Sequence, residues 1–284
     1  MELCDINQIK ALLDRHGFRF SKSMGQNFLV APWVPEQIAA MAGLDENTGV
    51  LEVGPGIGCL TAQLARSAGR VVSVELDKAL RPVLAETLAG LDNAEIVFGD
   101  VLKLNIPELV AEKLAGLRPV VCANLPYNIT SPVISAFLEA GCFKSITVMV
   151  QREVARRICA SAGSADYGAF TVYVDWFASS EILFDVSPDC FIPQPKVVSS
   201  VIKLDMRNTP PVEVCNEKLF FRVVRAAFAQ RRKTLSNALS SGFPELDKQR
   251  LVGAIVSCGF DERVRGETLS TADFAALTNA VAAL

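Results

Sequence analysis

Asn124-Leu125-Pro126-Tyr127 follows the apolar run Val120-Val121-Cys122-Ala123. An amide, a proline and an aromatic ring at the carboxyl end of a strand suit one task, holding a flat base by its exocyclic amine. Asn124 offers a carbonyl acceptor, Pro126 fixes the chain so that a backbone carbonyl points the same way, and Tyr127 supplies a stacking face. A plain strand end followed by a turn also uses Asn and Pro. The four residues therefore gain meaning only from what accompanies them.

Gly54-Pro55-Gly56-Ile57-Gly58 lies between an apolar run and the next amphipathic stretch, and Glu52 precedes it. Glycines there permit a tight turn and close approach of a ligand to the backbone, Gly54 and Gly56 above all. The spacing differs by one position from the dinucleotide fingerprint, and no Lys-Ser/Thr pair follows as in a phosphate-binding loop. A ligand without phosphates fits better, and S-adenosylmethionine is such a ligand. Glu75 ends the next apolar run about twenty residues on, where a carboxylate accepts from both ribose hydroxyls. Asp100 follows the third run and can accept from an adenine amine, with Val101 placed to cover the ring. A lone Gly-rich turn is often only a sharp corner. Glycines, Glu75 and Asp100 at three successive strand ends make a stronger pattern, because open α/β sheets bind ligands there.

The elements that must position these residues alternate. Residues 50–53, 71–74, 96–98, 119–123 and 146–150 read as buried strands, with helices over 60–65, 78–89 and 131–140 and a connecting segment through Leu114. This rhythm implies a parallel sheet covered on both faces. Helices over 6–16, stopped by Gly17, and 33–43 precede it, forming an N-terminal helical segment 1–48. Beyond 150, helices over 151–161 and 168–177 lead to two strand-like runs, 181–184 and 198–204, placed to pair antiparallel at one sheet edge. Asn208-Thr209-Pro210-Pro211 reads as a linker. The expected domains are 1–207, catalytic, and 208–284, all-α with helices over 217–241, 247–258 and 270–283.

Composition excludes several classes. Of 284 residues, half are hydrophobic, so the chain folds into a globule. No apolar run reaches the length of a membrane span, and the acidic start Met1-Glu2-Leu3-Cys4-Asp5 lacks a signal-peptide core, so a cytoplasmic protein is expected. Eight scattered cysteines without a Cys-x-x-Cys pair and one histidine, His16, argue against zinc or any other metal, against disulfides and against a catalytic triad. His16 before Gly17 fits a helix C-cap. The net charge of -3 lacks the basic footprint of a free nucleic-acid binder.

Taken with Gly25-Gln26-Asn27-Phe28-Leu29, Leu51 to Gly58, Glu75 and Gly99-Asp100, the Asn124 motif resembles the ribosomal RNA adenine dimethyltransferases. Phe191-Ile192-Pro193-Gln194-Pro195-Lys196-Val197 and Ala227-Phe228-Ala229-Gln230-Arg231-Arg232-Lys233 match further family segments. The resemblance covers nearly the whole chain and is strongest to the bacterial small-subunit branch, which dimethylates two adjacent adenines near the 3′ end of 16S rRNA. It implies an α/β fold, a Rossmann-like class I S-adenosylmethionine-dependent methyltransferase sheet with a small all-α C-terminal domain. S-adenosylmethionine is the implied cofactor, and 16S rRNA in the small ribosomal subunit or its precursor the implied partner of a monomeric enzyme.

By that resemblance, Asn27 and Leu29 line the methionine side, Gly54 and Gly56 the glycine loop, Glu75 the ribose and Asp100 with Val101 the adenine. Asn124 contacts cofactor and target amine, helped by the Pro126 carbonyl. Tyr127 stacks on the target base, and Phe191 closes its other face or packs in the core. Two basic clusters, Arg152, Arg156 and Arg157, and Arg222, Arg225, Arg231, Arg232 and Lys233, are candidates for phosphate contact, with Arg231, Arg232 and Lys233 foremost. Family members are commonly basic, and this chain is not. Three other readings fit the residues less fully: a small-subunit assembly factor, a 23S rRNA adenine methyltransferase and an adenine-N6 DNA methyltransferase.

Overall fold

The computed structural model describes residues 2–21 and 25–284. A short antiparallel ribbon pairs β1 (Phe28–Leu29) with β8 (Phe191–Ile192). The main sheet holds β2 (Thr48–Val53), β3 (Arg70–Glu75), β4 (Ala94–Phe98), β5 (Arg118–Asn124), β6 (Ser145–Gln151), β7 (Ala178–Val186) and β9 (Ser199–Met206). Their spatial order is β4-β3-β2-β5-β6-β9-β7. The first five neighbours are parallel, and β9 runs antiparallel to β6 with Val148 opposite Ile202. Every residue of β2 is buried, as are six of the seven in β6, because a parallel sheet covered on both faces exposes neither side of its inner strands.

The order β4-β3-β2 grows outward in one direction and β5-β6 in the other. The chain thus reverses direction across the sheet between β2 and β5, and a crevice opens outside the carboxyl ends of those two strands. Val53 and Asn124 end there.

The helices connecting this sheet are α1 (Ile6–Arg15), α2 (Trp33–Met41), α3 (Cys59–Ser67), α4 (Arg81–Thr87), α5 (Ile106–Lys113), α6 (Thr130–Ala140) and α7 (Arg152–Ile158). Asp5 caps α1 by accepting from the Gln8 N–H, and Gly17, at φ 63°, reverses the chain after the cap residue His16. Ile9, Leu12 and Leu13 are buried on its inner face, whereas Ile6, expected there, is 43% exposed. The connecting segment expected through Leu114 contains α5. Asn105 accepts from the Glu108 N–H and Pro107 sits in the first turn, a start signal that the short apolar spacing concealed.

The chain forms two compact units, Met1–Ala155 with Glu181–Met206, and Arg156–Ser180 with Arg207–Leu284. The expected division lies at 207/208, whereas the second unit resumes at Arg207 and also takes in residues 156–180. Their helix α8 (Ala169–Phe177) is aromatic, and Trp176 stacks on Phe220 with ring centroids 4.7 Å apart. Asp175 accepts from Arg207 and from the Thr271 hydroxyl. The remaining helices of this unit are α9 (Glu217–Ala229), α10 (Leu235–Gly242), α11 (Lys248–Ser257) and α12 (Thr271–Ala282). The single helix expected over 217–241 is therefore two. Gln230 leaves helical geometry at φ -136°, ψ 65°, and Thr234 is the extended cap residue before α10. No helix among the described residues is long and apolar enough to cross a membrane.

Candidate active site

A pocket occupies the crevice between the ends of β2 and β5. Asn27 and Leu29, Gly54 and Gly56, Glu75, Asp100 and Val101, and Asn124 to Tyr127 all line it. Ten expected positions from five chain segments thus meet in one cavity. Gly54 and Gly56 lie at φ 69° and 59°, where side chains are strained, and a Cβ on Gly56 would sit 3.0 Å from the Phe28 ring. The turn therefore leaves bare backbone facing the pocket.

The adenosyl side is acidic. Glu52, Glu75 and Asp100 line the pocket, and no lysine, arginine or histidine joins them among the described residues. Such a lining suits a cationic sulfonium ligand, so the donor set fits S-adenosylmethionine. Burial pushes the Glu75 carboxyl up to about 7, partly offset by backbone N–H groups of Asp77, Gly56 and Leu76. The Asp77 N–H lies 2.7 Å from its Oε1. Asp100 accepts from the Leu102 N–H and pairs loosely with Lys103 at 3.5 Å.

Glu52 is a participant that sequence reasoning passed over. Its Oε2 accepts from the Thr61 and Ser73 hydroxyls at 2.7 and 2.6 Å, and burial raises its carboxyl to about 7. The available signal was a carboxylate inside an otherwise apolar strand. Gln26 and Asn128 also line the pocket.

At the end of β5, Asn124 Nδ2 points at the Asn27 carbonyl, 3.5 Å away. That orientation leaves Oδ1 as an acceptor, and the contact is at the outer limit of a hydrogen bond. Tyr127 shares a 2.7 Å hydrogen bond with Ser199 Oγ, which holds its ring. Two expectations are corrected. The Pro126 carbonyl already accepts from the Ile129 N–H and the Thr130 hydroxyl, each at 3.2 Å, so it is committed to its own turn. The Leu125 carbonyl, one residue earlier, has no partner among the described residues. Phe191 pairs with Leu29 across the ribbon and is buried in the core, so its ring offers no open face to a base.

Residues 17–282 match the family described as ribosomal RNA adenine dimethylase. The chain belongs to that family. Ribosomal RNA small subunit methyltransferase A of Alkaliphilus oremlandii is 46% identical over 274 residues, covering 96% of each chain. The protein of that name from Geobacillus kaustophilus is 46% identical over 279 residues, 97% of this chain and 95% of the relative. Among solved structures, a dimethyladenosine transferase from Plasmodium falciparum superposes with a TM-score of 0.74 at 25% identity, covering 88% of this chain and 95% of its own. The 23S rRNA methyltransferase ErmE gives 0.70 at 27%, covering 90% and 99%. As an rRNA adenine dimethylase, the protein is an S-adenosylmethionine-dependent rRNA methyltransferase with a class I fold.

An enzyme of this family must also meet RNA phosphates, and the structure separates its basic residues. Arg231 donates to the Ala165 and Tyr167 carbonyls at 2.9 and 3.1 Å and lies 3.7 Å from Glu267. Arg222 donates to the Gly242 carbonyl, pairs with Glu245 and stacks over Phe243. Both hold the second unit together. Arg232 and Lys233 are exposed, and their side chains have no hydrogen-bond or ion-pair partner among the described residues, so they keep their charge for solvent or a ligand. Arg231→Ala is expected to cost on the order of 1–2 kcal/mol and lower the melting temperature by a few degrees, with exposure discounting the charge-assisted bonds. The double change Arg232→Ala, Lys233→Ala is expected to leave the melting temperature unchanged while weakening RNA binding and flattening its salt slope by about one to two. Thermal melts and binding titrations at several salt concentrations separate the two roles.

Proposed function

We propose that the protein transfers methyl groups to N6 of two adjacent adenosines in the 3′-terminal region of 16S rRNA, within the small subunit or its precursor. The observation that carries the base-holding part is that Asn124 and Leu125, whose carbonyl is unengaged among the described residues, both line the pocket at the end of β5. The names of the relatives support the small-subunit assignment. The mildly acidic net charge of -3 favours a particle, whose architecture presents the site, over naked RNA.

S-adenosylmethionine, held by the glycine loop, Glu75 and Asp100, supplies an electrophilic methyl on sulfur. Adenine N6 is a weak nucleophile because its lone pair is delocalised into the ring. Asn124 Oδ1 accepts one N–H and the Leu125 carbonyl the other, which favours a pyramidal nitrogen with its lone pair aimed across the pocket. Tyr127, fixed by Ser199, stacks on the flipped base. Transfer to N6 would break the bound donor's carbon–sulfur bond and release the N6 proton to water. After one round a single N–H remains, and one of the two acceptors suffices for the second.

The test is transfer of labelled methyl groups to undermethylated small subunits, free small-subunit rRNA, free large-subunit rRNA and duplex DNA. Label recovered as dimethyladenine in adjacent 3′-terminal positions of the particle is the expected result. Label confined to large-subunit rRNA or to DNA would refute the assignment.

A further inference from the structure

The loop that carries Asn27 and the strand end that carries Glu75 form two walls of the cofactor pocket, and one pair of side chains joins them. Gln26 Nε2 donates to Asp77 Oδ2 at 2.8 Å, across 51 residues of sequence. Both residues are otherwise fully used. Gln26 Oε1 accepts from the Ser21 N–H at 2.9 Å, which fixes which end of the amide faces Asp77. Asp77 Oδ1 accepts from the Ala79 N–H at 2.9 Å, and its own N–H donates to Glu75 Oε1 at 2.7 Å. A carboxylate held at both oxygens and linked through its backbone to Glu75 transmits its position to the Glu75 carboxylate.

We propose that Gln26 and Asp77 form a latch that sets the spacing between the Asn27 loop and Glu75, making them positioning residues for cofactor binding. This rests on the reading that Glu75 accepts from the ribose hydroxyls. The polarity of the latch is defined, with amide as donor and carboxylate as acceptor, and exchanging the two partners preserves it. Gln26→Glu keeps an acceptor for Ser21 but sets a second carboxylate against Asp77, and like charges at hydrogen-bond distance repel. Asp77→Asn keeps the cap on Ala79 but sets a donor against the Gln26 donor. Turning the Gln26 amide to relieve that clash sets its NH₂ against the Ser21 N–H. In the double variant the introduced amide donates to the introduced carboxylate, whose other oxygen still serves Ser21.

The experiment measures the dissociation constant of S-adenosylmethionine by calorimetry, and kcat at saturating cofactor, for Gln26→Glu, Asp77→Asn, the double variant and Glu75→Gln. Each latch single is expected to weaken cofactor binding about tenfold, as for a lost charge-assisted hydrogen bond, with kcat within about twofold. The double variant is expected to return to within about threefold of the parent, a rescue that no general loss of folding would produce. Singles that bind as tightly as the parent, or a double variant that adds the two losses, would overturn the latch. Glu75→Gln without effect on cofactor binding would overturn the ribose reading, and a swap that still rescued would then place the latch's action on the Asn27 loop alone, against the coupling proposed.

Discussion

Asn124→Ala is expected to reduce kcat for methyl transfer by about 100- to 1,000-fold, the range seen when one preorganised polar group at a reacting centre is removed. Cofactor binding is expected to change by no more than about threefold, because the single contact of Asn124 with the cofactor loop is a 3.5 Å approach to the Asn27 carbonyl, too long to hold that loop in place. The two effects fall apart because Asn124 Oδ1 accepts from N6 only as the amine pyramidalises, an interaction that strengthens in the transition state. Alanine leaves the Leu125 carbonyl as sole acceptor, with the base free to rotate about it. Single-turnover transfer to undermethylated small subunits, with parallel calorimetry, measures both quantities. A kcat within a few-fold of the parent would remove Asn124 from the catalytic role. Retained particle binding by the inactive variant would show that any assembly function survives without catalysis.

The sheet was legible because its inner strands need only nearly continuous apolar runs, and Val50 to Val53, Val71 to Val74 and Ile146 to Val150 each have one, interrupted by a single polar residue (Glu52, Ser73 and Thr147). The convergence of Gly54, Glu75, Asp100 and Asn124 was legible for a related reason. Alternating strands and helices place successive strand ends along one edge, so residues far apart in sequence fall into one crevice.

What escaped depends on side-chain partners that no local pattern displays. Arg231 and Arg232 are chemically identical in a charge run, and only the nearby carbonyls of Ala165 and Tyr167 make the first a clamp. The Pro126 carbonyl looks free in the sequence because the helical turn that consumes it is closed by Thr130, four residues later. The break at 230–234 lacks glycine and proline, and its polar run Gln230-Arg231-Arg232-Lys233-Thr234 reads equally well as the solvated face of one continuous helix. Phe191 has the composition of a stacking residue, and pairing of its strand with Leu29 turns it into the core.

Glu75→Gln is expected to weaken S-adenosylmethionine binding about 10- to 100-fold and to abolish most of its pH dependence. In the parent, burial holds the Glu75 carboxyl at about 7, so below that value the group is protonated in the free protein. A neutral carboxyl keeps one acceptor oxygen and gains a donor, whereas the ionised form accepts from both ribose hydroxyls. Cofactor affinity should therefore rise by about tenfold per pH unit below 7 and level off above it, with a proton released on binding in the lower range. Folding stability of the cofactor-free protein runs the other way. The unfolded carboxyl titrates at the ordinary 4.5 and the folded one at about 7, so the folded state binds its proton more tightly. The Glu75 contribution to stability is then greatest below about 4.5 and is lost as pH rises through about 7. Glu52 contributes with the same sign, its carboxyl also raised to about 7 by burial. The two are distinguishable by function. Glu52 Oε2 is occupied by Thr61 and Ser73, so Glu52→Gln should keep the pH dependence of cofactor binding that Glu75→Gln loses. Calorimetry between about pH 5.5 and 8.5, in buffers of differing ionisation enthalpy, reads both affinity and proton release. A flat profile in the parent would show that the ribose is held by a group other than the Glu75 carboxylate.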